Sequence, residues 1–123
     1  MLVLTAILVV GFAGAAQANT RMYGSWKGII RAVADVGPAV YDEGKHKYHR
    51  TLVDVGIQTS RSLSCATGKV YTSSGRGTRV WSGSTVVLQA GTIAIGYPHI
   101  TVWTGYVLDV TGTGGSGVST IGF

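Results

Sequence analysis

The first twenty residues, MLVLTAILVVGFAGAAQANT, carry no charge and are dominated by Leu, Val, Ile and Ala. Wound as a helix they would span roughly 30 Å at about 1.5 Å per residue, enough for a bilayer core. The stripe Leu2, Leu4, Ile7, Leu8 and Val9 has no polar partner of its own, so it needs lipid or other apolar helices. The small residues Gly11, Ala13, Gly14, Ala15 and Ala16 permit close helix approach. This segment points to a protein that meets a membrane and works outside the cytoplasm, extracellular or at the cell surface. Two routes are open. In one, the apolar run Leu2–Val10 is a signal sequence and Ala16-Gln17-Ala18 an A-x-A cleavage pattern that leaves Asn19 first, although no Lys or Arg precedes the run. In the other, the helix is retained in the working protein, an uncharged start being expected once a basic leader has been removed upstream.

Charge is distributed as unevenly as hydropathy. All ten basic residues and four of the five acids fall between Arg21 and Arg79, and from Val80 to Phe123 the only formal charge is Asp109. That last third must be either core strands whose outer faces use Ser and Thr, or a surface packed against other subunits. At 46% apolar and 12% charged residues the chain is no disordered tail, which needs charge and little hydrophobicity. A net charge of +5 suits contact with anionic surfaces but is modest for a nucleic-acid binder, so nucleic acid is not an expected partner.

Periodicity divides the chain in two. Trp26, Ile29, Ile30 and Val33 recur at helical spacing, with Lys27, Arg31 and Asp35 at i, i+4 steps on another face, before Gly37-Pro38 breaks the pattern. After residue 45 the period becomes two: Thr51, Val53, Val55, Ile57 and Thr59 alternate with their neighbours as in a half-buried strand. Further strand patterns cover 69–73, 79–82, 85–90, 92–96, 100–104 and 106–111, separated by Gly, Ser and one Pro. The expected class is therefore α+β: an N-terminal helix, apolar and then amphipathic, over 1–36; a hinge or turn at 37–44; and a small antiparallel β-sandwich or barrel-like domain over 45–123. Its Gly/Ser-rich end, Gly112–Phe123, reads as flexible or as ordered against a neighbour.

Candidate chemistry is sparse. Lys45-His46-Lys47-Tyr48-His49-Arg50 is the most concentrated polar feature, and Lys45, Lys47 and Arg50 are candidate contacts for an anionic surface. His46 and His49, three apart, point to opposite faces of a strand, and no nearby Cys completes a zinc pattern, so no metal is expected. The motif Gly112–Gly117 satisfies G-x-G-x-x-G, but a dinucleotide site needs a following helix and an acid about 20 residues on; the match is compositional. No G-x-S-x-G elbow and no convergent acid–His pairing stand out, so neither catalysis nor a cofactor is expected. Trp26, Trp81, Trp103 and the tyrosines read as core anchors or subunit contacts. The single Cys65 allows no intrachain disulfide and reads as a half-buried thiol.

The order of parts, Met1–Ala18, Asn19–Val36 and a β domain from Lys45, resembles a mature type IV pilin or archaeal-type filament subunit. The resemblance is architectural; Thr5 stands where bacterial pilins usually carry Glu, which leaves the archaeal-type variant. It implies a structural subunit of an extracellular filament that serves adhesion or surface attachment. The helix would reside in the membrane before assembly and then pack with copies of itself through Leu4, Leu8, Gly11 and Gly14, and the β domains would form the outer wall. A second, fainter similarity is to lactococcin-type secreted bacteriocins, carried by Gly24-Ser25-Trp26 and by Lys47-Tyr48-His49-Arg50-Thr51-Leu52-Val53; it implies a secreted cationic β protein cleaved after Ala18. A membrane-anchored virion or envelope component is the third reading.

Overall fold

The computed structural model describes residues 18–123, and the segment Met1–Gln17, with the expected assembly residues Leu4, Leu8, Gly11 and Gly14, lies outside them. Ten strands follow in order: β1 (Thr20–Tyr23), β2 (Ile30–Val36), β3 (Val40–Asp42), β4 (Lys47–Thr59), β5 (Leu63–Tyr71), β6 (Arg79–Val87), β7 (Gly91–Gly96), β8 (Ile100–Trp103), β9 (Val107–Gly112) and β10 (Ser119–Gly122). They form two antiparallel sheets, one of six strands built around β4 and one of four in the order β10-β9-β5-β6.

The expected α+β class is thereby corrected: the described residues are all β, and the helix continuation over Asn19–Val36 is replaced by β1 and β2. Among the described residues, no helix is long and apolar enough to cross a membrane. The reason lies in the alanines. Ile30, Ala32, Ala34 and Val36 are all fully buried and alternate with Arg31, Val33 and Asp35, so the segment has a period of two that a count of large apolar residues overlooks. Pairing with β4 buries that face, and Ile30, Val33 and Val36 are β-branched residues that suit a pleated surface.

β4 is the spine. At thirteen residues it is long enough to take two partners along each edge, and Val55 and His49 are paired on both sides at once. β2 and then β3 run along one edge; β7 and then β8 run along the other. Each flanking strand is interrupted once, and the chain's two prolines mark the breaks: Pro38 between β2 and β3, Pro98 between β7 and β8. Proline lacks the N–H that a ladder needs, so both breaks follow from local chemistry. The register also slips between Asp35 and Val36 on the β2 side, and between Val55 and Gly56 on the β7 side. β4 is thus distorted from both edges around residues 52–56.

The core lies between the sheets. Ile30, Ala34, Leu52, Val55 and Ile57 from one layer meet Ala66, Val70, Val87, Leu108 and Val110 from the other. Trp81 enters from β6 toward β7. Its ring fits because glycines face it: a Cβ at Gly83 or at Gly96 would stand 2.7 Å from the ring. The Gly/Ser-rich end, expected to be flexible or ordered against a neighbour, is ordered within the chain's own fold. Ser119 and Ile121 of β10 are buried, and Phe123 packs against the core. Asp109, the lone charge of the last third, accepts two hydrogen bonds from Arg76 at 2.9 Å each and one from Thr120 at 2.9 Å.

Candidate functional site

On the outer face of the six-stranded sheet, the rows of β1, β2, β4 and β7 form a shallow groove. Its floor is Val33, Gly56 and Ala94, which lie side by side across β2, β4 and β7. Gly56 keeps that floor low, and nothing larger fits in place: a Cβ there would come within 2.9 Å of the Ile93 carbonyl oxygen. One wall is Arg21, Asp35 and Asp54, also a row, since Arg21 pairs with Asp35 and Asp35 with Asp54. Thr92 and the exposed ring of Tyr97 complete the rim. The groove holds about 190 Å3.

The wall is electrostatically organised. Arg21 Nε and Nη2 donate to the two oxygens of Asp35 at 2.9 and 3.1 Å, a bidentate fork. Those hydrogen bonds hold the Asp35 carboxyl below its usual range against the opposing effect of burial. Asp54, directly opposite, is shifted the other way: burial pushes it up first, and the hydrogen bond and negative charge of Asp35 add to that. Two adjacent carboxyls driven apart in acidity make a donor–acceptor pair in which Asp54 is the one that retains a proton more readily. The pair stands where the ladder slips, a placement that bulges often have beside functional sites.

Beside the groove, Arg31 lies 4.1 Å from the Tyr23 ring centre and 5.0 Å from that of Trp26, and its Nε donates to Gln58 Oε1 at 2.6 Å. Arg31, Gln58 and Thr92 form a second polar row, on the other side of the floor. Trp26, expected to anchor a core or a subunit contact, is here an exposed partner of a cation.

The basic cluster does not form one patch. Lys45 sits in the turn before β4, 5.1 Å from the Trp103 ring centre, and the His49 ring meets the same ring at a tilt, 4.8 Å between centres. Lys47 and Arg50, three apart on β4, project from opposite faces. His46 is separated from His49, adopting a positive φ of 53° and meeting Tyr41 Oη at 3.4 Å. Among the described residues no group of three or more His, Cys, Asp or Glu could hold a metal.

Sequence patterns gave no warning of Arg21, Asp35, Asp54 and Tyr97, which meet only through strand register. A polar residue within an alternating strand, as Asp54 is, was the one available hint.

A second feature is an open edge. Among the described residues β6 pairs with β5 and with no other strand. β7 approaches it around Gly83 from the other layer, and the two strands are not paired. Along β6 no residue after Arg79 is charged, and its outward positions include Val80 and Val86, followed by Leu88, 58% exposed at Val86 and 83% at Leu88.

The class that these observations define is a two-layer antiparallel β-sandwich with a groove on one sheet face and an uncharged open edge on the other sheet. No family model, curated protein or solved structure matches the chain.

Proposed function

We propose that the chain is a structural assembly subunit that self-associates outside the cytoplasm through the open β6 edge, as part of a filament or comparable surface polymer. The observation that carries this reading is a nine-residue edge strand with no charge after its first residue, with Val86 exposed on it and Leu88 exposed just beyond it. Monomeric β proteins usually blunt such an edge with Lys, Pro or a covering loop, because its free N–H and C=O groups template another strand. Here the ten basic residues lie elsewhere or at the start of the strand. Two copies therefore meet along β6 without charge repulsion, even though each carries a net charge of +5.

An open polymer needs two different surfaces on each subunit. The β3 side, on the edge of β4 away from β7, exposes Val40, Tyr41 and Tyr48 and is the candidate second surface. Tyr41 and Tyr48 meet edge to face at 5.1 Å, which presets a rigid aromatic contact. Export and a surface location follow the apolar N-terminal sequence and belong to the same reading.

The test is the particle size of the full chain, by light scattering and negative-stain microscopy, for the wild type and Val86→Lys. Val86 points outward, so the substitution leaves the core intact while placing a charge on the edge. Assemblies that fall to monomers in the variant support the reading. A wild type that stays monomeric as its concentration is raised, or a variant that assembles as well as the wild type, overturns it.

A further inference from the structure

We propose that the groove over Gly56 binds a neutral six-membered sugar ring, presented as one unit of a polysaccharide or surface glycan. A sugar ring has a C–H face and a rim of hydroxyls spaced in neighbouring pairs. The groove offers the complement of both. Its floor of Val33, Gly56 and Ala94 is apolar and low, with the Tyr97 ring, 64% exposed, standing at the rim as a stacking surface. Polar side chains line both sides of that floor: Arg21, Asp35 and Asp54 on one, Gln58 and Thr92 on the other.

Three properties select a sugar over other ligands. The first is size: at about 190 Å3 the groove is smaller than the roughly 300–1,000 Å3 of sites for drug-sized ligands, which suits a single small ring. The second is preorganisation. Arg21 and Asp35 are locked in a bidentate fork, and Asp35 and Asp54 are directly opposed on adjacent strands, about 5 Å apart at Cβ, a span that adjacent hydroxyls can bridge. The third is charge. Arg21 neutralises Asp35, so among the described residues Asp54 is the one charge of the wall without an ion-pair partner, and the wall offers donors and acceptors with a weak net field. An anionic ligand would find no free countercharge there, because Arg21 is already held by Asp35, whereas a neutral polyol replaces water at little electrostatic cost. The groove lies around Asp54 and Gly56 of β4, whereas β6 belongs to the other sheet and Tyr41 and Tyr48 lie at the opposite end of β4, so binding and self-association use different surfaces.

The experiment is saturation-transfer NMR of the full chain with a panel of neutral methyl hexopyranosides, alongside a uronic acid and an amino sugar as charged probes. An affinity of order 1 mM is expected for a single ring of this size. Tyr97→Ala, at an exposed position, should weaken it roughly tenfold, the scale of one lost stacking contact, with no change in thermal midpoint. Gly56→Ala should abolish it by raising the floor; Tyr97→Ala keeps the test valid should that variant misfold. Transfer to no neutral probe, a preference for a charged probe, or binding that Tyr97→Ala leaves unchanged would overturn the proposal.

Discussion

Replacing Ser119 by Ala is the sharpest test of how the two sheets are held together. Ser119 is fully buried, and its Oγ does two jobs at once. It accepts the Ala32 N–H of β2 at 2.8 Å, and it donates to the Ser25 carbonyl in the β1–β2 connection at 2.7 Å. β1 ends at Tyr23, so the serine satisfies a β2 amide just past the last β1 residue that pairs with that strand. Alanine removes both bonds while changing the volume little. The two orphans are not equivalent. Ala32 is fully buried, so its N–H forfeits about 1–3 kcal/mol with no water to replace the acceptor. Ser25 is exposed, so its carbonyl can rehydrate and loses only the net value of one hydrogen bond, about 0.5–1.5 kcal/mol. The sum centres near 3 kcal/mol, which for a domain of this size lowers the thermal midpoint by roughly 10–15 °C. Urea unfolding followed by tryptophan fluorescence should show a lower midpoint with an unchanged slope. Ser116→Ala, an exposed serine in the same Gly/Ser run, should stay within about 0.5 kcal/mol of wild type. A Ser119→Ala loss no larger than that of Ser116→Ala would refute the reasoning and return the C-terminal run to the status of a loosely held tail.

Gly96→Ala should destabilise the fold by about 1–3 kcal/mol, because its Cβ would stand 2.7 Å from a Trp81 ring that Gly83 confines equally closely. In a Trp81→Leu background the same replacement should cost little, and a double-mutant cycle that is additive within about 0.5 kcal/mol would show that the ring is not the obstacle. Asp54→Asn should be more stable than wild type at pH 7. The folded state raises the Asp54 pKa, so wild-type stability falls as pH rises from the ordinary value of 3.8 through the folded value, and Asn removes that loss. Asp35 works in the opposite sense, with a folded pKa below 3.8, so its contribution is lost as pH falls through that lowered value in both proteins. The gap between variant and wild type should therefore close as pH drops below the carboxylate range. Equal urea midpoints at pH 7 would contradict the assignment.

How far the fold could be read in advance depends on how many residues carry each signal. β4 was legible as a strand from Thr51 to Thr59 because β-branched residues dominate it, but its expected single inward face was not: Leu52 is buried and Thr51 exposed before Val55, Ile57 and Thr59 take the inward positions. β2 was not, since two of its four inward residues are Ala32 and Ala34, which barely register as apolar, while Ile30 and Val33 also fit a helical step. β10 offers only Ser119 and Ile121 as inward positions, set among glycines, too few to announce a strand. The groove was out of reach for a different reason: Asp35 and Asp54 become neighbours through register alone, and register depends on the whole sheet.

Yet the punctuation that creates the groove was visible all along. Gly37-Pro38 ends whatever element precedes it, and Pro98 separates two strand patterns; both inferences survive even though the first element is a strand and not a helix. A proline stops a ladder because it has no N–H to donate, irrespective of the structure it interrupts. Placed on opposite edges of β4, the two breaks release the sheet from strict pairing near residues 52–56, and the register slips lie beside them. An unbroken six-stranded face would present alternating side chains at uniform height. Here the regular β2–β4 register sets Asp54 against Asp35, with the first slip directly beyond them. The slip on the β7 side lies next to Tyr97, the residue before Pro98, at the rim above Gly56. The groove is therefore a consequence of where the sheet is interrupted, with Gly56 deepening a depression that the breaks at Pro38 and Pro98 make possible.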